Sequence, residues 1–265
     1  MESATPFADP PRTATPPAPN AVEVQGLRFA YGPEREVLCG VDLAIPRGHK
    51  VALLGASGAG KSTLLLHLNG IHLAQQGHVR VEGLAVEKDR LRTVRQQVGL
   101  VFQDPDDQLF HLTVEEDVAF GPRNFGLSEA DVRHRVHEAL ERTHLNGFEE
   151  RVNQHLSYGE RRRVSIATVL AMRPEILALD EPFANLDPAM VKALMAYLRR
   201  FEGTVLLASQ DILPALGCCD SIVILHEGKV AAYGGVKEIA ANRELLRRSE
   251  LDFWYLREIL DGLER

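Results

Sequence analysis

Short apolar runs recur along the chain and predict strands that are buried on both faces of a sheet. Residues 51–54, 176–179, 205–208 and 222–225 carry no charged position. Continuous runs of this kind are typical of parallel strands covered by helices. Helical patterns separate the later runs, so we predict a doubly wound α/β core.

Looser patterns predict a second sheet. Residues 22–31 alternate between apolar and polar positions, and residues 41–45 form a short run before Pro46. Residues 79–81 and 99–102 are further strand candidates. We interpret these four segments together as an antiparallel β lobe beside the first apolar run. Glu227 and Gly228 then predict a hairpin turn into a last strand at residues 230–233.

Between the Gln103 region and Arg163 the chain changes to helix and loop. Ser128 is a candidate N-cap for a helix that ends at Asn146 and Gly147. Its predicted apolar face consists of Val132, Val136 and Leu140. This stretch, about residues 104–163, predicts a helical subdomain inserted into the core.

Three regions follow from these patterns. Residues 1–20 are rich in Pro, Ala and Thr, and we expect a disordered tail. Residues 21–235 form the expected main domain, and residues 236–265 form an amphipathic helical extension. The extension is expected to pack on its own domain, although a dimer contact is an alternative.

The composition of the chain argues against several classes of function. The net charge of −7 argues against broad nucleic-acid binding, which usually needs a basic excess. The chain of 265 residues shows no apolar stretch long enough to span a membrane and no secretory signal. Three cysteines, two of them adjacent, do not indicate a disulfide framework, so we expect a reducing cytosol.

Directly after residues 51–54 the sequence satisfies every fixed position of the phosphate-binding pattern G-x-x-x-x-G-K-[ST]. The segment is Gly55, Ala56, Ser57, Gly58, Ala59, Gly60, Lys61 and Ser62, with Thr63 next in the following apolar helix. Glycines let successive N–H groups point inward, and the helix N-terminus favours an anion. Lys61 is predicted to reach the β- and γ-phosphates, and Ser62 to ligate Mg²⁺. A bound nucleoside triphosphate is the expected ligand.

Asp180 and Glu181 follow the run at residues 176–179, at the carboxyl end of a predicted strand. Open α/β sheets place their ligands at such ends. Asp180 is a candidate for the Mg²⁺ shell, and Glu181 is a candidate base for an attacking water. Two carboxylates beside a triphosphate are costly without a cation, so the pair itself implies the metal.

Ser157 and Glu160 form a predicted capping box that opens a helix through Met172. A helix start that carries Ser157 and Gly159 is also suited to a γ-phosphate. With this element, residues 22–235 resemble the ATP-binding subunits of ABC transporters, whose signature usually reads Leu-Ser-Gly-Gly-Gln. Tyr158 and Glu160 depart from that signature, while Ser157 and Gly159 match it. The resemblance implies a phosphate-loop NTPase core with an antiparallel β lobe and an inserted helical subdomain.

The resemblance also assigns roles elsewhere. It implies that Tyr31 stacks on adenine, that Gln103 senses Mg²⁺, and that the loop from Asn185 to Asp187 crosses a dimer interface. Two chains would bind head to tail, each ATP lying between one phosphate loop and the other chain's Ser157 segment. Gln210 stands where the family normally has a γ-phosphate-contacting His, so we expect slower hydrolysis with ATP binding largely kept.

The segment from Gln103 to Phe110 resembles that of energy-coupling-factor importers, where a short helix grips a transmembrane coupling subunit. The sequence from Leu156 to Glu160 is similar to that of the members that take up cobalt and nickel. The resemblance implies an ATPase at the cytoplasmic face of the cell membrane, with a separate substrate-binding membrane component. Vitamin uptake, a hydrolysis-impaired subunit and a non-transport ABC protein remain alternatives. We interpret Arg161, Arg162 and Arg163 as a solvated helix face, with pairing to the acids of the phosphate site as the other option.

Overall fold

The computed structural model of the chain describes residues 20–33, 35–210 and 216–251. Four strands form an antiparallel sheet: β1 (Asn20–Ala30), β2 (Glu36–Pro46), β4 (Gln76–Val81) and β5 (Leu84–Ala85). Their order across the sheet is β2, β1, β4, β5. This is the predicted antiparallel lobe, with β2 and β4 longer than the sequence patterns indicated and with β5 as a short strand that no pattern predicted.

A second sheet contains six strands in the described chain. They are β3 (Lys50–Leu54), β6 (Val98–Val101), β7 (Ile176–Asp180), β8 (Thr204–Ala208), β9 (Ser221–His226) and β10 (Lys229–Gly235). The order is β10, β9, β3, β8, β7, β6. Strands β9, β3, β8, β7 and β6 run parallel, and the predicted hairpin adds β10 antiparallel to β9.

One strand was assigned to the wrong sheet. The run at residues 99–102 was expected in the antiparallel lobe, but β6 pairs parallel with β7, with Gly99 opposite Leu177. All four β6 residues are buried, as in the neighbouring parallel strands. A Cβ on Gly99 would lie 2.4 Å from a Val169 methyl, so this strand packs directly beneath a helix. Four apolar residues alone did not distinguish a buried edge strand from a lobe strand.

Alternate residues of the parallel strands serve two cores on opposite faces of the sheet. On β3, Ala52 and Leu54 join the cluster beneath the helical subdomain, whereas Val51 and Leu53 join the cluster beneath the β lobe. Helix α1 (Lys61–Leu68) contributes Leu64, Leu65 and Leu68 to the second cluster. Burial on both faces explains why these strands have no polar side in the sequence.

Helices α2 (Leu91–Gln97), α3 (Val114–Asn124), α4 (Glu129–Arg142) and α5 (Tyr158–Leu170) lie between β5 and β7 in the chain. Ser128 caps α4 by accepting the N–H of Asp131 at 3.2 Å, as predicted. The helix ends earlier than the predicted Asn146, because His144 adopts a left-handed φ of 55°. Helix α5 has both hydrogen bonds of the predicted Ser157–Glu160 capping box.

The remaining helices follow β7 and β10. Helix α6 (Pro188–Arg200) lies between β7 and β8, and α7 (Val236–Ala241) and α8 (Arg243–Arg248) follow β10. Leu246 and Leu251 are buried in the cluster that also contains the apolar residues of the helical subdomain. Trp254, Leu256 and Leu260 of the predicted extension lie outside the described residues, as does the predicted tail before residue 20. None of the described helices is both long and apolar enough to cross a bilayer.

Candidate nucleotide site

The carboxyl ends of β3, β6, β7 and β8 meet at one edge of the sheet, because these strands are parallel neighbours. Predicted site residues that follow these ends, together with Tyr31 after β1, face a cleft of about 530 Å³. Of the predicted residues, those lining it are Tyr31, Ser57, Gly58, Gly60, Lys61, Ser62, Thr63, Gln103, Asp180, Glu181 and Gln210. Residues distant in sequence are thus brought together at a single site.

The loop between β3 and α1 requires glycine at specific positions. Gly60 has φ 103° and is the N-cap of α1. A Cβ on Gly55 would lie 2.3 Å from the Leu225 carbonyl oxygen, which no side chain tolerates. Ala59 is buried beneath this turn. The backbone therefore curls tightly in front of a helix N-terminus, a geometry suited to phosphate.

Lys61 is buried within the loop. Its Nζ donates to the carbonyl oxygens of Gly55 at 2.7 Å and Ala56 at 3.1 Å. Burial lowers the pKa of Lys61, although the negative charges of Glu181 and Asp180 oppose the shift. This buried ammonium group is well placed to bind a polyanion. The charged phosphate oxygens would then replace the two carbonyl oxygens as hydrogen-bond partners of Lys61.

Asp180 and Glu181 lie at the end of β7. Burial raises the pKa of Asp180, against the hydrogen bond from Ser62 and the charge of Lys61. Burial likewise raises the pKa of Glu181, against a hydrogen bond from Ser209 at 3.1 Å. The Oε1 atom of Glu181 is buried and has no partner among the described residues. An elevated carboxylate pKa with one free oxygen suits a general base.

These residues fit a magnesium nucleotide. Ser62, Asp180 and Gln103 offer hydroxyl, carboxylate and amide oxygens beside the phosphate loop, which are ligands that Mg²⁺ prefers. Against the rise caused by burial, Ser62 lowers the pKa of Asp180, which shows that two of these groups are neighbours. The donor set is therefore that of a hard divalent cation rather than a thiolate or imidazole site.

Tyr31 stands at the rim of the cleft with its side chain 61% exposed. Its hydroxyl lies 3.1 Å from the Thr63 Oγ1, and its ring meets Phe29 edge to face at 5.1 Å. The ring also meets that of His72 edge to face at 5.2 Å, while most of the residue stays exposed to solvent. This orientation suits the predicted stacking on a nucleobase.

Ser157 and Gly159 are not among the described residues that line the cleft. They begin α5, and a Cβ on Gly159 would lie 3.0 Å from the Asn185 carbonyl oxygen. Gly159 therefore adjoins the loop for which the sequence predicts a dimer interface. The N-terminus of α5 is not part of this chain's own cleft.

Sequence reasoning missed part of the site. Arg35, Glu36, Val37, Glu227 and Gly228 also line the cleft, yet they belong to no phosphate-binding pattern. Ser209 was also missed, although its place directly after a parallel strand was an available signal.

The interpretation of the three arginines as a solvated face was wrong for Arg162, which is fully buried. The i, i+4, i+7 spacing of Arg162, Ile166 and Val169 would have placed it on the buried face of α5.

Comparison with known proteins agrees with this geometry. The sequence profile of the ABC transporter family matches residues 38–184. A putative ABC transporter ATP-binding protein of Streptomyces avermitilis is 48% identical over 257 residues, covering 96% of this chain and 97% of the relative. The energy-coupling factor transporter ATP-binding protein EcfA of Carboxydothermus hydrogenoformans is 44% identical over 247 residues, covering 92% and 91%.

Solved structures show the same fold. CbiO1 from Clostridium perfringens, part of the ABC transporter complex cbiONQ, has a TM-score of 0.75 and 34% identity, covering 92% of this chain and 100% of its own. The ATP-binding cassette MJ0796, described as a dimer in a post-hydrolysis state bound to ADP and Pi, has a TM-score of 0.75 and 28% identity, covering 81% and 98%. The chain therefore belongs to the ABC transporter family and is one of its ATP-binding, ATP-hydrolysing subunits.

Proposed function

We propose that this chain is the ATP-driven motor of an energy-coupling-factor importer, docked at the cytoplasmic face of the cell membrane. The observation that carries the proposal is the position of Gln103. Gln103 lines the nucleotide cleft. The segment from Gln103 to Phe110 starts at this cleft and ends at the exposed Phe110. Relatives named as energy-coupling factor ATP-binding proteins support this assignment.

The proposed chemistry is hydrolysis of the terminal phosphoanhydride of ATP. A water oxygen bonds to the γ-phosphorus in line, the bond to the bridging oxygen breaks, and ADP leaves while the water proton passes to Glu181. Lys61 stabilises the charge that develops on the phosphate oxygens. A magnesium ion held by Ser62, Asp180 and Gln103 would neutralise part of the phosphate charge. Gln210 donates an uncharged hydrogen bond to the γ-phosphate.

Two chains are proposed to close head to tail, so that the α5 N-terminus of one chain covers the ATP of the other. The absence of Ser157 from its own chain's described cleft lining supports this arrangement, as does the dimer reported for MJ0796. Ser157 would then contact the γ-phosphate across the interface through its hydroxyl, because its backbone N–H already donates to Glu160, and Gly159 would do so through its backbone N–H.

The docking surface for an integral membrane coupling subunit is proposed at the end of the Gln103 segment. Phe110 and Leu112 are each 65% exposed, and Phe120 is 42% exposed. The rings of Phe110 and Phe120 pack edge to face at 4.9 Å and form one apolar patch. Apolar patches on otherwise polar surfaces mark interaction sites. A short turn at Pro105–Asp107, capped by Asp104, connects the patch to the cleft.

The first test is Mg²⁺-dependent ATP hydrolysis by the purified full chain. Glu181→Gln keeps the shape of the side chain but removes the base, so we expect turnover to fall by at least about 100-fold with ATP binding retained. A variant that turns over like its parent would remove Glu181 from the proposed chemistry. No turnover by the parent, despite ATP binding, would favour the hydrolysis-impaired alternative that Gln210 suggests, or a site that its membrane partner must complete.

The second test is co-purification with the membrane subunit in detergent. Phe110→Asp places a charge in the apolar patch, so we expect the membrane subunit to be lost while basal hydrolysis persists. Tyr233→Asp is the matched control, because Tyr233 is 40% exposed on β10, at the opposite edge of the sheet from β6. Retention of the partner by Phe110→Asp would contradict the assigned surface, whereas failure of the parent chain to co-purify with any membrane subunit would favour a non-transport ABC protein.

Cobalt or nickel is the proposed cargo, because the sequence around Tyr158 resembles metal-uptake members. The test is uptake by the assembled transporter, with Glu181→Gln as the blank. ATP-dependent accumulation of a vitamin instead of a metal ion would support the vitamin alternative.

A further inference from the structure

Arg162 is the most unusual buried side chain of the described structure. It lies in the second turn of α5 and has 0% relative exposure, the largest side chain with so little contact to solvent. Arginine is almost never fully buried unless its charge is satisfied. Burial lowers the pKa of Arg162, yet a guanidinium remains protonated in proteins. The charge must therefore be balanced by particular groups.

Four backbone carbonyl oxygens accept hydrogen bonds from the two terminal nitrogens of Arg162, the charges of Asp180 and Glu181 favour its protonated form, and its Nε is buried without a partner among the described residues. Nη1 donates to the carbonyls of Phe102 and Gln103, the latter at 3.2 Å. Nη2 donates to the carbonyls of Asp180 and Glu181. Among the described residues Arg162 forms no ion pair, so backbone dipoles are its hydrogen-bonded partners.

The two carbonyl pairs lie at the ends of two neighbouring strands, and each pair includes a residue with a proposed role in hydrolysis. One pair follows β6 and includes Gln103, and the other ends β7 and includes Glu181. The planar guanidinium holds its donors in a fixed fork, so it sets the spacing between the two backbones. A single ammonium group could not reproduce that geometry.

The same helix is attached to the Gln103 segment at two other places. Arg161 pairs with Asp106 at 3.1 Å, and the Gln108 amide donates to the Ser165 carbonyl at 2.8 Å. Helix α5 and the segment that leads to the docking patch are therefore connected through several contacts. Among the hydrogen bonds of the described residues, those of Arg162 extend this connection to the end of β7.

We propose that Arg162 is a positioning residue that holds the Gln103 backbone and the Glu181 backbone in register for hydrolysis. Displacement of the Gln103 segment by a docked partner would reach Glu181 through the guanidinium. This inference deepens the proposed function and rests on it, since it assigns the contact between the docking segment and the catalytic carboxylate.

The test compares Arg162→Lys and Arg162→Gln with the parent by single-turnover ATP hydrolysis. The rate is counted per bound nucleotide, so unfolded protein does not lower it. We expect a fall of about 10- to 100-fold in both variants, because small displacements of catalytic groups have effects of that size. The dissociation constant for ATP is expected to stay within about twofold, since Arg162 does not line the cleft.

Arg135→Gln is the matched control. Arg135 also donates to backbone carbonyls, those of Ala171 and Met172, but at the opposite end of α5. A rate within about twofold of the parent for Arg162→Lys, or an equal fall for Arg135→Gln, would overturn the inference. A parent chain without hydrolysis would instead contradict the proposed function, so the two failures are distinguishable.

Discussion

At the scale of single residues, the cleft contains several ionisable groups whose charged forms are destabilised by burial. Lys61, Asp180 and Glu181 each have a pKa shifted towards the neutral form, because all three are withdrawn from water. A magnesium nucleotide would supply both the negative and the positive charge that these groups lack. The energetic cost in the free chain is therefore part of what makes the site selective for that ligand.

Gln210 is the residue where the cleft departs from its family. Against the rise caused by burial, its backbone lowers the pKa of Glu181, so exchange of the side chain leaves that influence in place. We expect Gln210→His to raise kcat about three- to tenfold near pH 7, because a partly protonated imidazole donates a charge-assisted hydrogen bond to phosphate. The measurement is steady-state ATP hydrolysis. Gln210→Ala is the control and is expected to lower kcat. A fall in activity for Gln210→His would contradict the role assigned to this position.

At the scale of elements, two helices of the inserted region begin in the same way. Thr113 and Glu116 form a complete capping box at α3, as Ser157 and Glu160 do at α5. Both boxes satisfy backbone N–H groups that a helix start otherwise leaves free. The two caps are equivalent for stability, but only the α5 start is proposed to contact ATP of a second chain.

This equivalence gives a matched pair of variants. Thr113→Ala and Ser157→Ala should each lower the free energy of unfolding by about 1 kcal/mol, as typical for lost caps. Only Ser157→Ala should also lower ATP turnover, because it removes the proposed contact across the dimer. Denaturant unfolding and hydrolysis at saturating protein concentration measure the two effects. Equal turnover in the two variants would mean that Ser157 acts as a cap alone.

At the scale of the whole molecule, the six-stranded sheet separates two cores. The helical subdomain together with α6, α7 and α8 covers one face, and α1 with the β lobe covers the other. His67 on α1 lies where the lobe meets α1, with its ring 4.7 Å from that of Phe29 on β1. Its Nδ1 donates to the Thr63 carbonyl at 2.7 Å, and its Nε2 is buried without a partner in the described chain.

This packing predicts a pH dependence of stability. Burial lowers the pKa of His67 in the folded state below its unfolded value, which is ordinarily about 6.5. As pH falls below about 6.5 the unfolded chain takes up the proton first, so the free energy of unfolding falls. We expect His67→Asn to lose less stability than the parent between pH 7.5 and 5.5, as measured by denaturant midpoints. Parallel curves would contradict this, and replacement of the exposed His49 is the control.

The sequence by itself determined most of the local structure. The phosphate loop, the Ser157 and Ser128 caps, and the parallel strands at β3, β7, β8 and β9 were all predicted correctly. These features depend on neighbouring residues: glycines in a tight turn, a hydroxyl opposite a free N–H, and uninterrupted apolar runs. The roles of the site residues remain predictions, although eleven of them line one cleft.

Only the tertiary structure decided which distant segments meet. It placed β6 beside β7 and not in the lobe, brought Arg35 and Glu227 to the cleft, and buried Arg162 among four carbonyls. Helical spacing could place Arg162 on a buried face, but no local pattern names the strand that pairs with β6 or the carbonyls that surround a buried charge, because these partners lie far away in sequence. Short sequence patterns thus encode the phosphate loop and the helix caps. The contacts that join these segments into one site form only when the chain folds.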